Sequence, residues 1–140
     1  NPSELYLSYY QTYPNIVAPN VRGENQENLT TKAFLAYDSG DFQTAAQLFG
    51  ELKTQTSEDY VVFYEGISYL EVNKPEKTIA LFENKNFTNR DPQLEVYRKW
   101  YLGLAFLKTR KKEESVEILK GLSITENPQK EQALKLLNKL

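Results

Sequence analysis

Bulky apolar residues recur at helical spacing along most of the chain, and short polar turns interrupt them at regular intervals. Three stretches repeat one order. In the first, Leu29, Ala33 and Ala36 lead through Gly40-Asp41-Phe42 to Ala45 and Phe49. In the second, Val62, Gly66 and Tyr69 lead through Asn73-Lys74-Pro75 to Thr78 and Phe82, and in the third, Gly103 and Phe106 lead through Arg110-Lys111-Lys112 to Ser115 and Leu119. Ala33 and Ala45, Gly66 and Thr78, and Gly103 and Ser115 all stand 12 residues apart. This predicts antiparallel helix pairs in which a small residue on each helix admits a bulky side chain of the other, with Phe49, Phe82 and Leu119 filling the next turn. Gly40 supplies the positive φ of a helix C-cap, Asn73 is the next best residue for it, and Asp41 is suited to cap the following helix. Arg110 holds the same place in the third turn with a side chain that this backbone region disfavours.

Beyond the third pair, Asn127-Pro128 predicts the start of a last helix, with Ala133, Leu134, Leu137 and Leu140 on one face and Lys, Gln and Asn on the other. A terminal repeat is sealed in this way. The stretch "NKNFTNRDPQ" lengthens the connection before the third pair, and its Asp91-Pro92 reads as an N-cap and first helical residue. At the other end, "LYLSYYQTYP" places Tyr6, Tyr9, Tyr10 and Tyr13 at i, i+3, i+4 and i+7. That spacing predicts a short helix over residues 3–13, capped by Ser3, with one aromatic stripe that something must cover. "YPNIVAPNVRGEN" then favours an extended path. The expected organisation is a Tyr-rich helix and extended segment over residues 1–25, followed by a repeat domain over 26–140.

The repeated stretches resemble the tetratricopeptide repeat. "WYLGLAF" carries Leu102-Gly103 and Phe106, and "GDFQTAAQLF" matches the family's turn and second helix. Trp100 lies one residue later than the family's aromatic, and Ser115 replaces an Ala. The pitch is uneven too: Ala33 to Gly66 is 33 residues, Gly66 to Gly103 is 37. The resemblance implies an all-α fold, a right-handed superhelix (an α-α solenoid) of about three helical hairpins over residues 26–57, 58–91 and 92–127, with a capping helix at 128–140. It also implies that the first helix of each pair lines a concave groove. On this chain the lining set is Phe34 and Tyr37, then Tyr60, Phe63, Tyr64 and Ile67, then Tyr97, Trp100, Tyr101 and Leu104 with Lys108 at the rim.

Inter-repeat packing accounts for part of that aromatic surface, and the surplus marks an interaction site. The family's grip on a peptide's terminal carboxylate uses Lys and Asn; here Thr30, Phe34, Tyr64, Tyr97 and Tyr101 stand at those places, so a hydrophobic or aromatic peptide or protein partner is expected instead. Two roles stay open for Tyr6, Tyr9, Tyr10 and Tyr13: filling the groove, or capping the first repeat. A structural role, in which the aromatic surface joins copies of the chain into a homo-oligomer, is the competing expectation.

Composition narrows the chemistry. With 17 basic and 19 acidic residues the net charge is -2, which gives no footprint for a phosphate backbone and argues against nucleic acid. The chain has no Cys and no His. Thiolate nucleophiles, the commonest general base and the usual zinc ligands are therefore missing, and we expect no enzyme activity, no metal and no cofactor. Asp38 with Asp41, and Glu113 with Glu114, lie in polar turns where nothing apolar would raise a carboxyl pKa. "KTRKKEE", residues 108–114, reads as a solvated turn whose glutamates offset its basic run. Asn28-Leu29-Thr30 and Asn86-Phe87-Thr88 match the glycosylation pattern, which acquires meaning only in a secretory context.

The chain contains no Met, so a piece of a longer protein is expected. The Tyr-rich start followed by tetratricopeptide repeats is also similar to bacterial proteins in which one membrane span precedes a periplasmic repeat domain. That similarity implies a tether upstream of residue 1 and a site on the periplasmic side of the inner membrane; without it, a cytoplasmic protein is expected.

Overall fold

The structure is a computed structural model that describes residues 1–17, 28–87 and 91–140, and all regular structure among them is α-helical. The order is α1 (Pro2–Tyr9), α2 (Leu29–Asp38), α3 (Phe42–Leu52), α4 (Asp59–Glu71), α5 (Pro75–Phe82), α6 (Pro92–Lys108), α7 (Lys112–Ser123) and α8 (Lys130–Leu137). Side-chain caps account for several of the starts. Asn28 accepts from the amides of Thr30 and Thr31, Asp41 from Thr44, and Asp91 from Gln93 and Leu94. Each bond satisfies a donor that the first helical turn leaves unpaired.

The three repeat turns are alike in detail. Gly40, Asn73 and Arg110 have φ of 82°, 61° and 63°. In each, the following amide reaches back to the last turn of the helix: Asp41 to Ala36 O at 2.9 Å, Lys74 to Tyr69 O at 2.8 Å and Lys111 to Phe106 O at 2.7 Å. This is the Schellman closure, which pairs carbonyls that a helix end otherwise orphans. Arg110 thus adopts the left-handed conformation that its side chain disfavours, because the carbonyls must be paired.

The described residues divide into two compact units. The unit over Thr12–Lys74 holds α2, α3 and α4, with α3 packed on both of the others. Ala33 and Ala45 are fully buried, as the close approach of α2 and α3 requires. The centre is aromatic. The Tyr64 ring lies edge-on to Phe34, Tyr37 and Phe63 at 5.1, 5.0 and 5.4 Å and stacks on Phe49 at 6.0 Å. The buried carboxylate of Glu65 accepts from Lys53 Nζ at 3.0 and 3.2 Å. Burial, and then the Glu65 charge, raise the pKa of the neighbouring Tyr69 hydroxyl above its ordinary value. That pairing marks Glu65 as structural.

The unit over Asn1–Gln11 and Pro75–Leu140 is built on α6, which packs against α5, α7 and α1, while α8 covers α7. Ser115 Oγ donates to Gly103 O at 2.8 Å, so the hydroxyl that replaces the expected methyl is satisfied by a backbone carbonyl that Gly103 leaves open. A Cβ on Gly103 would sit 3.6 Å from Ile118 Cγ2 and Leu119 Cδ2, an ordinary contact, so the site is close but not glycine-only. Arg98 reaches the described part of the connection before α6, at the end of α5 and at Phe87. Its guanidinium binds both oxygens of Glu95 and the carbonyl of Phe82, while Glu95 accepts the Phe87 amide at 2.9 Å.

Three expectations need correction. The first helix runs over Pro2–Tyr9, capped by the Asn1 side chain, and Tyr10 is already extended with ψ of 131°. The helix ends before the Pro14 that restricts Tyr13, so Tyr13 leaves the stripe. The last helix begins at Lys130; Asn127 Oδ1 instead accepts from the Gln129 amide at 2.8 Å in a preceding turn. Its inner face is Ala133 and Leu136, with Leu137 and Leu140 half-buried and Leu134 exposed. Residues 18–27 and 88–90, which include part of the expected extended path, lie outside the described residues.

Candidate functional site

In the Thr12–Lys74 unit, α2 and α4 present tyrosine hydroxyls to a segment of chain that is not helical. Tyr37 sits one turn after Phe34 on α2, and Tyr64 lies mid-helix on α4, so both rings are wedged in the aromatic core with their hydroxyls outermost. Tyr37 OH donates to the carbonyl of Tyr13, and Tyr64 OH donates to the carbonyl of Pro14 at 2.7 Å. The Tyr64 oxygen also accepts the Ile16 amide at 3.2 Å. One hydroxyl therefore bridges the main chain on either side of Asn15. Between these bonds the Tyr13 ring packs edge-on against Phe63 at 5.0 Å and tilts against Tyr64 at 6.1 Å. Pro14 fits a position from which no amide donor is taken.

Two carboxylates flank the same segment. Glu71 Oε2 accepts from Thr12 Oγ1, and Asp38 Oδ2 accepts from Asn15 Nδ2 at 3.0 Å. Ile16 and Val17 are exposed.

The other unit repeats the device once. Tyr101 on α6 donates its hydroxyl to the carbonyl of Gln11, and its ring meets Tyr10 edge-on at 5.8 Å. Tyr10 stacks on Tyr6 at 5.2 Å, and Tyr6, 3% exposed, lies under the ammonium of Lys108 at 4.7 Å. Lys139 covers the Tyr9 ring at 5.3 Å. Such cation–π contacts contribute about 0.5–1 kcal/mol each at exposed sites.

The structure thus brings several of the sequence-assigned residues together. Phe34, Tyr37, Phe63, Tyr64 and Ile67 cluster in one unit, and Trp100, Tyr101 and Leu104 are buried in the other; Tyr60, Tyr97 and Lys108 are half-buried at the margins. Burial, and then Glu58, raise the Tyr60 pKa. The helix α1 packs on α6 and α8, where Tyr101 and Lys108 of the assigned groove set meet Tyr10 and Tyr6, and residues 12–16 lie on α2 and α4. The sequence pattern gave no sign of Glu71, and Asp38 read as a solvated turn; both become contacts only once the extended segment is laid beside them. No helix among the described residues is long and apolar enough to cross a membrane. No family model, curated protein or solved structure matches the chain.

Proposed function

We propose that the chain is a non-catalytic scaffold of the tetratricopeptide-repeat kind, wound as a right-handed superhelix, that holds an extended aromatic segment of a partner protein on its tyrosine-bearing face. Its own residues 12–16 occupy that face as a stand-in. The observation that carries the reading is the grip of Tyr37 and Tyr64 on the main-chain groups of Tyr13, Pro14 and Ile16. Hydroxyls that bind carbonyls read an extended backbone rather than one side chain, and the flanking rings supply affinity for an aromatic. Such neutral bonds contribute only about 0.5–1.5 kcal/mol each, while ordering each residue of the arm costs about 1–2 kcal/mol. A stand-in held by that margin is displaceable.

A labelled peptide copying residues 10–17, titrated into the whole chain, tests this. Saturable binding, with faster hydrogen exchange of the Ile16 amide as the peptide takes its place, supports the reading. Absence of binding at millimolar peptide overturns it. Sedimentation in parallel reports the competing role: a stable dimer that the peptide leaves intact would make the aromatic surface a self-association face.

A further inference from the structure

Resting on that reading, we infer that the face selects an aromatic-proline motif in trans: an aromatic residue, a proline directly after it and, two places beyond the proline, a residue that keeps its main-chain N–H. The grip fixes these places. Tyr37 donates to the carbonyl of Tyr13, while the Tyr64 hydroxyl donates to the carbonyl of Pro14 at 2.7 Å and accepts the amide of Ile16 at 3.2 Å. One phenol is thus donor and acceptor at once, and the two main-chain groups it meets stand on residues two apart. A segment slid by that distance would bring its proline to the place of Ile16, where proline has no N–H to offer. Proline therefore sets the register.

The aromatic and the proline are chosen for different reasons. The half-buried ring of Tyr13 lies edge-on to Phe63 at 5.0 Å and tilts against Tyr64 at 6.1 Å, an arrangement that rewards an aromatic by contact. Pro14 is exposed, so its advantage lies in conformation. Proline fixes its own φ and confines the residue before it to extended backbone, the state in which the two tyrosine hydroxyls find the two carbonyls. A peptide so restricted gives up fewer conformations on binding, as proline-rich segments do in other aromatic-lined grooves.

Three peptides titrated into the whole chain and followed by fluorescence anisotropy decide it. The reference carries Thr-Tyr-Pro-Asn-Ile-Val, the second has Ala in place of Pro, and the third has the Asn-Ile amide replaced by an ester, which removes the N–H and little else. The reference is expected to bind about two- to fivefold tighter than the Ala peptide and about three- to tenfold tighter than the ester. In the Tyr64→Phe variant the ester penalty should vanish, whereas the proline advantage, a property of the free peptide, should remain. Equal affinity of the reference and Ala peptides overturns the inference and leaves the peptide-binding reading standing. So does an ester penalty that is absent from the unaltered chain or that persists in Tyr64→Phe. Binding of none of the three, even to the Tyr13→Ala variant whose arm is loosened, overturns both.

Discussion

Arg110 carries a backbone conformation that glycine would adopt without strain. A left-handed φ costs a residue with a Cβ roughly 1–2 kcal/mol, and Arg110 stands at φ 63° with its side chain exposed. Arg110→Gly is therefore expected to stabilise the chain by about 1 kcal/mol, less the extra flexibility it gives the unfolded state. Thermal melting checks this, with a rise of a few degrees. Gly40→Ala should cost a similar amount at the matching turn. At Gly103 the structure leaves room that the spacing argument denied, so Gly103→Ala should be neutral or stabilising by up to about 1 kcal/mol, whereas Gly103→Leu should cost about 1–3 kcal/mol against Leu119. A pH effect belongs to Glu95. Burial alone would raise its pKa, but the bonds from Arg98 and the Phe87 amide and the charges of Arg98 and Lys99 outweigh this and hold it below the ordinary value. A depressed carboxylate pKa stabilises the fold above the unfolded value and loses that contribution as pH falls through the folded one. The melting temperature should accordingly decline on acidification below about pH 4.5, and Glu95→Gln should flatten that decline while lowering stability at neutral pH.

Among the elements, the N-terminal arm departs furthest from what spacing predicts. The i, i+3, i+4, i+7 set over Tyr6 to Tyr13 is a helical signature, and three of its four members do sit near one another with α6 and α8 as neighbours. The fourth does not, because Pro14 restricts Tyr13 to an extended conformation and the hydroxyls of Tyr37 and Tyr64 supply the main-chain bonds that a further helical turn would have made. Local periodicity cannot see a bond partner fifty residues away. Tyr64→Phe keeps the ring and removes both arm bonds, and is expected to cost about 1–2 kcal/mol and to raise the exchange rate of the Ile16 amide; unchanged protection there would contradict the proposed grip. Tyr6→Ala, which empties a buried site between Tyr10 and Lys108, should cost about 3 kcal/mol.

Over the described residues, the helices and the turns between them were legible because their signals are local. Turn residues stand seven positions after each first small residue, at Gly40, Asn73 and Arg110, and that interval repeats whatever lies around it. Caps at Asp41 and Asp91 were equally readable. The placement of the aromatic faces was less so, since the partners of Tyr101 and Tyr64 lie 90 and 50 residues distant along the chain.

The clasped arm changes how the chain would be digested. A protease draws substrate into its cleft as an extended strand and must seize the carbonyls itself, yet those of Gln11, Tyr13 and Pro14 are already spoken for by phenols. A broad-specificity enzyme such as subtilisin should then nick the exposed stretch around Thr54 and Gln55 before touching residues 11–16, although these lie outside any helix. Occupying the face with an outside peptide should reverse that order of cuts.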